Sequence, residues 1–294
     1  MTQRFAAVSA AVAFCLACLG GAAQPQSRSR ATGTISFYVA PAPNGSDAND
    51  CLSPSTACAS PQRACLKAMN EWDFGGYDPF IRFAAGLYIG GCDVAGQLVG
   101  AHTINIVGEQ SDDPKQSCTL AQAERVVVRP GPSQEGGGIF IFQDAAIVVL
   151  RCMTLEGDGA IGVQCRQTPV SDVAFVKFGG EQPLRYGATA GQNCGLNLGG
   201  TIWVGNNLLA VVAADSNSRL TVAAPIVAAN PATAQYLAMS YHLSLIQFQY
   251  PISGPLSVRN GSRVWRAGMI TNTSGVPLPG GCFQADLAQP GYCY

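Results

Sequence analysis

The feature that most constrains this chain is a repeat. Ile104, Val127, Leu150, Val173 and Leu196 are all apolar and follow one another at intervals of 23 residues; Leu220 and Leu243 extend the series at 24 and 23. A second column two residues on holds Ile106, Arg129, Cys152, Phe175 and Leu198, apolar or Cys except at Arg129. Between the two lie Asn105, Val128, Arg151, Ala174 and Asn197, mostly polar or small. In–out–in alternation is the mark of a strand with one buried face. Its recurrence at a period in the twenties predicts a solenoid, each turn of which buries its inner face against the next.

The rest of the chain agrees with many short strands. Gly at 34 and Pro at 18 of 294 residues imply frequent turns and disfavour a helical bundle. Short β runs separated by Gly, Pro, Asn and Asp follow residue 80, among them Thr103–Val107, Ile139–Phe142, Val173–Val176 and Leu208–Val212. One segment reads as helix: Ser60 is an N-cap, Pro61 the first helical residue, and Ala64, Cys65, Ala68, Met69 and Trp72 form an apolar stripe. A solenoid needs its open end covered, and this helix over 60–72 stands where an N-terminal cap belongs. The expected fold is all-β, a parallel β-helix solenoid with an N-terminal capping helix.

The N-terminus reads as a targeting segment. Arg4 precedes an apolar run from Phe5 to Leu19, and Gly21, Ala22 and Ala23 are small, as signal-peptidase cleavage requires. A lipoprotein site at Cys18 is the weaker option, because Cys15 stands where Leu is usual. The division is therefore 1–23 signal peptide, 24–34 flexible lead, 35–79 entry strand, turn and capping helix, and 80–294 coil with a closing segment. Ten of the twelve cysteines lie beyond residue 23. An even number in an exported chain reads as disulfides, with a secreted or periplasmic location. Zinc is disfavoured, since no CxxC survives cleavage and only His102 and His242 are present. Short loops point to Cys51 with Cys58 and Cys282 with Cys293; Cys165 with Cys194 and Cys118 with Cys152 come next, and the connectivity as a whole stays open.

The stretch from Phe37-Tyr-Val39 through Asn44-Gly-Ser-Asp47 and Asn49-Asp-Cys-Leu-Ser-Pro54 resembles the entry segment of right-handed parallel β-helix proteins, the pectin-lyase-like superfamily. Cys51 stands where that motif has Gly, and Ala42-Pro43 is extra. The tail, from Gly261-Ser-Arg-Val-Trp265 through Thr271-Asn-Thr-Ser-Gly275 to Tyr294, is similar to the closing segment of a bacterial and phage subgroup. The resemblance spans 37–294. It implies a right-handed β-helix and carries no activity, because one fold hosts many functions.

Motif by motif, the chemistry is thin. Gly157-Asp-Gly-Ala-Ile-Gly162 matches a dinucleotide fingerprint, but Val163 to Pro169 reads as strand and turn where that motif needs a helix. No GxSxG occurs. Asn44, Asp47, Asn49 and Asp50 offer oxygens to Ca²⁺, though the spacing is not an EF-hand's and the same residues serve a turn. Glu135, Asp158 and Glu181 keep the 23-residue step beside glycines, a paired-acid arrangement if they stack at one corner. A polysaccharide lyase needs instead a base for the proton α to a uronate carboxylate; Arg151, Asp172 and Lys177 are the candidates within one stretch of groove.

Net charge is −1, from 17 basic and 18 acidic residues, which leaves no nucleic-acid footprint. The expected function is a non-catalytic, disulfide-stapled envelope, surface or glycan-binding module, with polysaccharide or cell-envelope glycan as partner. The alternative is a lyase or glycosidase acting on acidic polysaccharide. A phage-tail role fits poorly with export.

Overall fold

The computed structural model describes residues 27–294 except 97, 110–116, 135–136, 145–146, 230–231 and 285–291. The expected signal peptide therefore lies outside the described residues, as does Glu135.

The chain is a parallel β-solenoid of about 8 turns. Among the described residues its strands form a fifteen-stranded sheet, a nine-stranded sheet and a separate two-stranded pair. The larger sheet makes two faces. Ile147–Leu155 shows how: its residues 147–151 pair with Thr103–Val107, and 154–155 pair with Val127 and Val128. Cys152 between them has φ +60°, and Phe175 in the next turn has φ +55°. A left-handed residue turns the strand sharply without ending it. The first face lies before this corner and the third face after it; the nine-stranded sheet is the second face.

One inward column runs through the first face: Ile81, Ile106, Leu150, Val173, Leu198, Val222 and Phe248, each in register with the next. All seven are fully buried. The 23-residue step is right for Leu150 to Val173, but the true steps along this column are 25, 44, 23, 25, 24 and 26 residues. The step of 44 contains an insertion between Val107 and Val126, so Ile104 pairs with Val148 and not with Val127. Val127 belongs to the third face. Leu243, expected to continue the series, is a turn residue with φ +61° and 69% exposure, and Ile246 takes the position beside Leu220.

The helix forms as expected, over Pro61–Glu71. Ser60 Oγ accepts from Arg63 N at 3.3 Å, and Ala64, Cys65, Ala68 and Met69 are buried in the common core. The helix packs against Ser36–Val39 and Asp93–Ala95, at the first turns of the coil. Within the lead expected to be flexible, Ser29–Arg30 pairs in parallel with Trp72–Asp73, and Ala31 is buried. The chain leaving the helix is extended there and offers an open strand edge. A second helix, Leu120–Ala123, is too short for a periodic signal; Thr119 and Gln122 close it with reciprocal capping bonds.

Five cysteine pairs stand at disulfide distance: 51–58, 65–92, 118–152, 165–194 and 282–293. Such pairs are typical of extracellular proteins. Among the described residues, no helix is long and apolar enough to cross a membrane. Cys51, at the position where the resembled motif has Gly, has φ +65°, the backbone region glycine favours.

Candidate functional site

The lyase candidates are divided between two faces. Arg151 lies on the first face between Val107 and Ala174, before the corner at Cys152. Asp172 lies on the same face beside Val149 and accepts a hydrogen bond from Asn197 Nδ2 at 2.9 Å. Lys177 lies past the corner, on the third face, between Thr154 and Trp203. The left-handed residues that bend the strand turn Lys177 away from the other two.

A groove of about 420 Å³ runs along the third face, lined by Glu124, Arg129, Thr154, Glu156, Lys177 and Glu181 among others. Residues 118–124, the described end of the insertion, wall it. Cys118 is bonded to the corner residue Cys152, and Thr154 Oγ1 donates to Ala123 O at 3.1 Å. That brings Glu124 over Lys177, Oε1 to Nζ 2.6 Å. Arg129 donates from Nε and Nη2 to Glu156 Oε1 at 2.9 and 2.6 Å, and from Nη2 to Glu181 Oε2 at 3.0 Å. The hydrogen bond to Glu156 raises the already high pKa of Arg129 further. Glu181 N donates to Glu156 Oε2 at 2.6 Å. Gly180 makes this fit: a Cβ there would stand 2.0 Å from Glu156 Oε2. These carboxylates and cations are thus matched to one another. Glu181 belongs to this groove, whereas Asp158 lines another cavity with Arg185 and Arg259, so the 23-residue acid spacing does not unite them.

The second face carries a different surface. A groove of about 350 Å³ crosses Ile161–Arg166, Tyr186–Gly191 and Leu208–Ala214. Gln164, Thr189 and Ala213 are in register along it. The short Thr189 and Ala213 leave a trough beside Gln164, which Tyr186 and Tyr241 line together with Arg166 and Asp215. Tyr241 stacks on Trp265 with ring centroids 4.6 Å apart and planes within 8°. Burial lifts the Tyr241 hydroxyl well above the ordinary phenol range, so it stays a neutral donor. Arg185 lies over the Tyr186 ring at 5.3 Å, and Arg263 lies over Tyr236 at 4.9 Å and Trp265 at 5.8 Å. Asp215 accepts from Ser216 N at 2.7 Å, and its Oδ1 is 2.5 Å from His242 Nδ1. Arg266 Nη1 is 2.8 Å from His242 Nε2. Since arginine only donates, Nε2 accepts and the proton sits on Nδ1, facing Asp215.

Chemically, the trough suits a ligand with one apolar face and a polar rim: rings offer flat contact, while Gln164, Thr189 and Asp215 offer hydrogen bonds. Sequence patterning overlooked it. Tyr186 and Tyr241 sit at unrelated places in the repeat, and only the register of the second face brings them to one groove. Knowing which face each strand occupies would have found them.

Of the residues proposed to offer oxygens to Ca²⁺, Asp47 and Asp50 use carboxylate oxygens in the entry turn, and Asn49 uses its amide nitrogen there. Asp47 Oδ1 accepts from Ala59 N and Ser60 N at 3.0 and 2.8 Å, Asp50 Oδ1 accepts from Leu52 N at 2.9 Å, and Asn49 Nδ2 donates to Ala57 O at 2.8 Å. Among the described residues no cluster of three metal-ligating side chains occurs. The glycines at 157–162 lead into the strand Ile161–Arg166 with no helix following. No family model, curated protein or solved structure matches the chain.

Proposed function

We propose that this protein is an exported β-helix of the pectin-lyase-like type that binds glycan through its second-face groove without transforming it. The observation that carries the reading is the trough between Tyr186 and Tyr241, floored by Gln164, Thr189 and Ala213. A sugar ring presents C–H bonds on one face and hydroxyls at its edge, the same division of chemistry. The apolar run from Phe5 to Leu19 and the paired cysteines support export. Calorimetry against a panel of neutral and uronate polysaccharides tests the reading. One class should bind, and Tyr186→Ala or Tyr241→Ala should weaken it about tenfold, near the worth of one aromatic platform. Binding that survives both substitutions would remove the groove from the reading.

A lyase or glycosidase is the second reading, favoured by the gathering of Lys177, Arg129 and three glutamates in the third-face groove. Against it, those charges neutralise one another. Turnover of a uronate polymer that Lys177→Ala abolishes would reverse the order.

A further inference from the structure

The three faces end differently at the N-terminal side of the coil. On the first face the outermost strand is Ser36–Val39, and the entry turn covers its free edge: Tyr38 N donates to Cys51 O at 2.7 Å, and Cys58 N donates to Tyr38 O at 2.9 Å. On the second face it is Asp93–Ala95, where Asp93 N donates to Gln62 Oε1 of the helix at 2.7 Å. On the third face it is Gly86–Ile89, which pairs only with Val126–Arg129 among the described strands. Gly86 N donates to Arg125 O at 2.7 Å, and Gly90 N to Arg129 O at 2.8 Å. Backbone groups of successive strand residues point to opposite sides, so those of Leu87 and Ile89 point away from the coil along its axis. Among the described residues they have no backbone partner.

The gap at this edge is one strand deep. Phe80–Phe83 runs on into Gly86–Ile89, and Ser36–Val39 pairs with Phe80–Phe83 from the outer side, so the first face has one strand more than the third. After Val39 the chain turns off instead of following the third face. Pro41 packs on Gly86, where a Cβ would stand 2.5 Å from Pro41 Cγ, and Pro41 O accepts from Asn44 N and Gly45 N. The edge strand is firmly held: the buried Tyr88 donates its hydroxyl to Ala84 O at 2.7 Å, and its ring meets Phe83 edge-on at 5.0 Å. Its outward side chains are apolar, Leu87 at 46% and Ile89 at 58% exposure, and no charged residue occurs from Phe83 to Cys92. Free edges are ordinarily guarded by charge, proline or a cover. The far end of the same face is guarded in this way, with Pro251 and Pro255 on either side of Ile252–Ser253.

We propose that Gly86–Ile89 is a docking edge for one extended peptide strand of another protein, uncharged and apolar at alternate positions. Main-chain bonds to Leu87 and Ile89 supply the affinity, and their side chains select apolar neighbours on the outer surface of the added strand. The shape of the gap decides the occupant. A single strand fits a space one strand deep, whereas a second copy of the coil would meet the entry turn and the helix, which stand further out on the other two faces. The absence of charge decides the chemistry, since a lysine or glutamate in the added strand would lie against Leu87 or Ile89 with nothing to pair it.

The test uses the oxidised, full-length protein and a blocked, uncharged hexapeptide of alternating threonine and valine, with a second peptide carrying proline at its centre as control. Amide hydrogen exchange read by NMR reports the edge, and fluorescence anisotropy of the labelled peptide reports affinity. The alternating peptide should slow exchange of the Leu87 and Ile89 amides about tenfold and leave that of Tyr38 unchanged. The proline peptide, which cannot complete the ladder, should bind about tenfold more weakly. Leu87→Lys combined with Ile89→Lys, at two exposed positions, should weaken the alternating peptide to the same degree while the circular dichroism spectrum matches the parent. Equal binding of the two peptides would mean that no main-chain pairing occurs, and binding of neither would leave the edge without an occupant of this class; both overturn the proposal. Leu87 and Ile89 amides already protected in dilute free protein would show that this chain fills the position itself. Protection that rises with protein concentration would assign the edge to a second copy. Either result overturns the proposal, as does full affinity in the double-lysine variant, which would place the peptide elsewhere.

Discussion

At the residue scale, burial decides which charges matter. Glu156 is 4% exposed in its side chain and Glu181 is 86% exposed, yet both meet Arg129. Glu156→Gln replaces a carboxylate that accepts three hydrogen bonds with an amide whose NH₂ must face a donor, either Arg129 or Glu181 N. The expected loss is about 1–3 kcal/mol, read as a lower urea midpoint at unchanged slope. Glu181→Gln should stay within about 0.5 kcal/mol, as for other exposed pairs. Equal effects would show that the Glu156 pair is not held as described. Asp93 gives the pH-dependent case. Burial raises its carboxyl pKa in the folded state, outweighing the bond from Gln143 Nε2 and the charge of Arg166. A raised folded pKa favours folding below the unfolded value, and that contribution is lost as pH rises through the folded value. At pH 7 the ionised Asp93 therefore opposes folding. Asp93→Asn, which keeps an acceptor for Gln143, should be more stable than the parent at pH 7 and lose that advantage near pH 3. A gain that grows on acidification would contradict this assignment.

Elements differ in how openly the sequence declares them. First-face strands such as Thr103–Val107 alternate Ile with Thr or Asn, and the sequence marks them well. Second-face strands give less away: Tyr186–Gly191 is rich in Gly and Ala, and Ala232–Ser240 mixes Ala with Gln, Tyr, Leu and Met, so neither carries a clear periodic signal. Third-face strands are short, four residues at Gly86–Ile89 and Val126–Arg129 and three at Ile202–Val204 and Ile226–Ala228, or continue a first-face strand past a left-handed corner, as in Ile147–Leu155 and Ser171–Phe178. Short runs and small residues are where hydrophobic patterning fails. The helix Pro61–Glu71 was legible because cap, proline and stripe agree. Met69 on that stripe is 8% exposed. Met69→Asp sets an unpaired charge against Ala64, Ala68 and their neighbours and should cost several kcal/mol, on the order of 3. Met69→Leu should cost under about 1.5. A thermal melt of the aspartate variant that overlays the parent's would show that the helix does not close the core.

For the whole molecule, the repeat revealed the architecture but not the site. A period of 23 was near enough to the true 23–26 of most turns for the solenoid to be recognised, while the insertion before Val126 threw the strand register off. Grooves depend on that register, because Tyr186 and Tyr241 become neighbours only through strands wound one above another. A solenoid's stability is a sum over adjacent turns, so its ends are its weakest parts. Disulfides stand there: Cys51–Cys58 and Cys65–Cys92 at the first turns, and Cys282–Cys293 joining the last described strands of the second and first faces. Removing the last pair by Cys282→Ser with Cys293→Ser should loosen its own turn and leave the middle intact. Hydrogen exchange should then show lost protection at Met269–Asn272, which pairs with Tyr292–Cys293, and unchanged protection at Ile147–Leu155. The middle strands lie between neighbours on both sides and keep Cys118–Cys152 and Cys165–Cys194 beside them. Uniform loss of protection along the coil would mean that the solenoid opens as one cooperative unit and that the terminal staple acts on the whole.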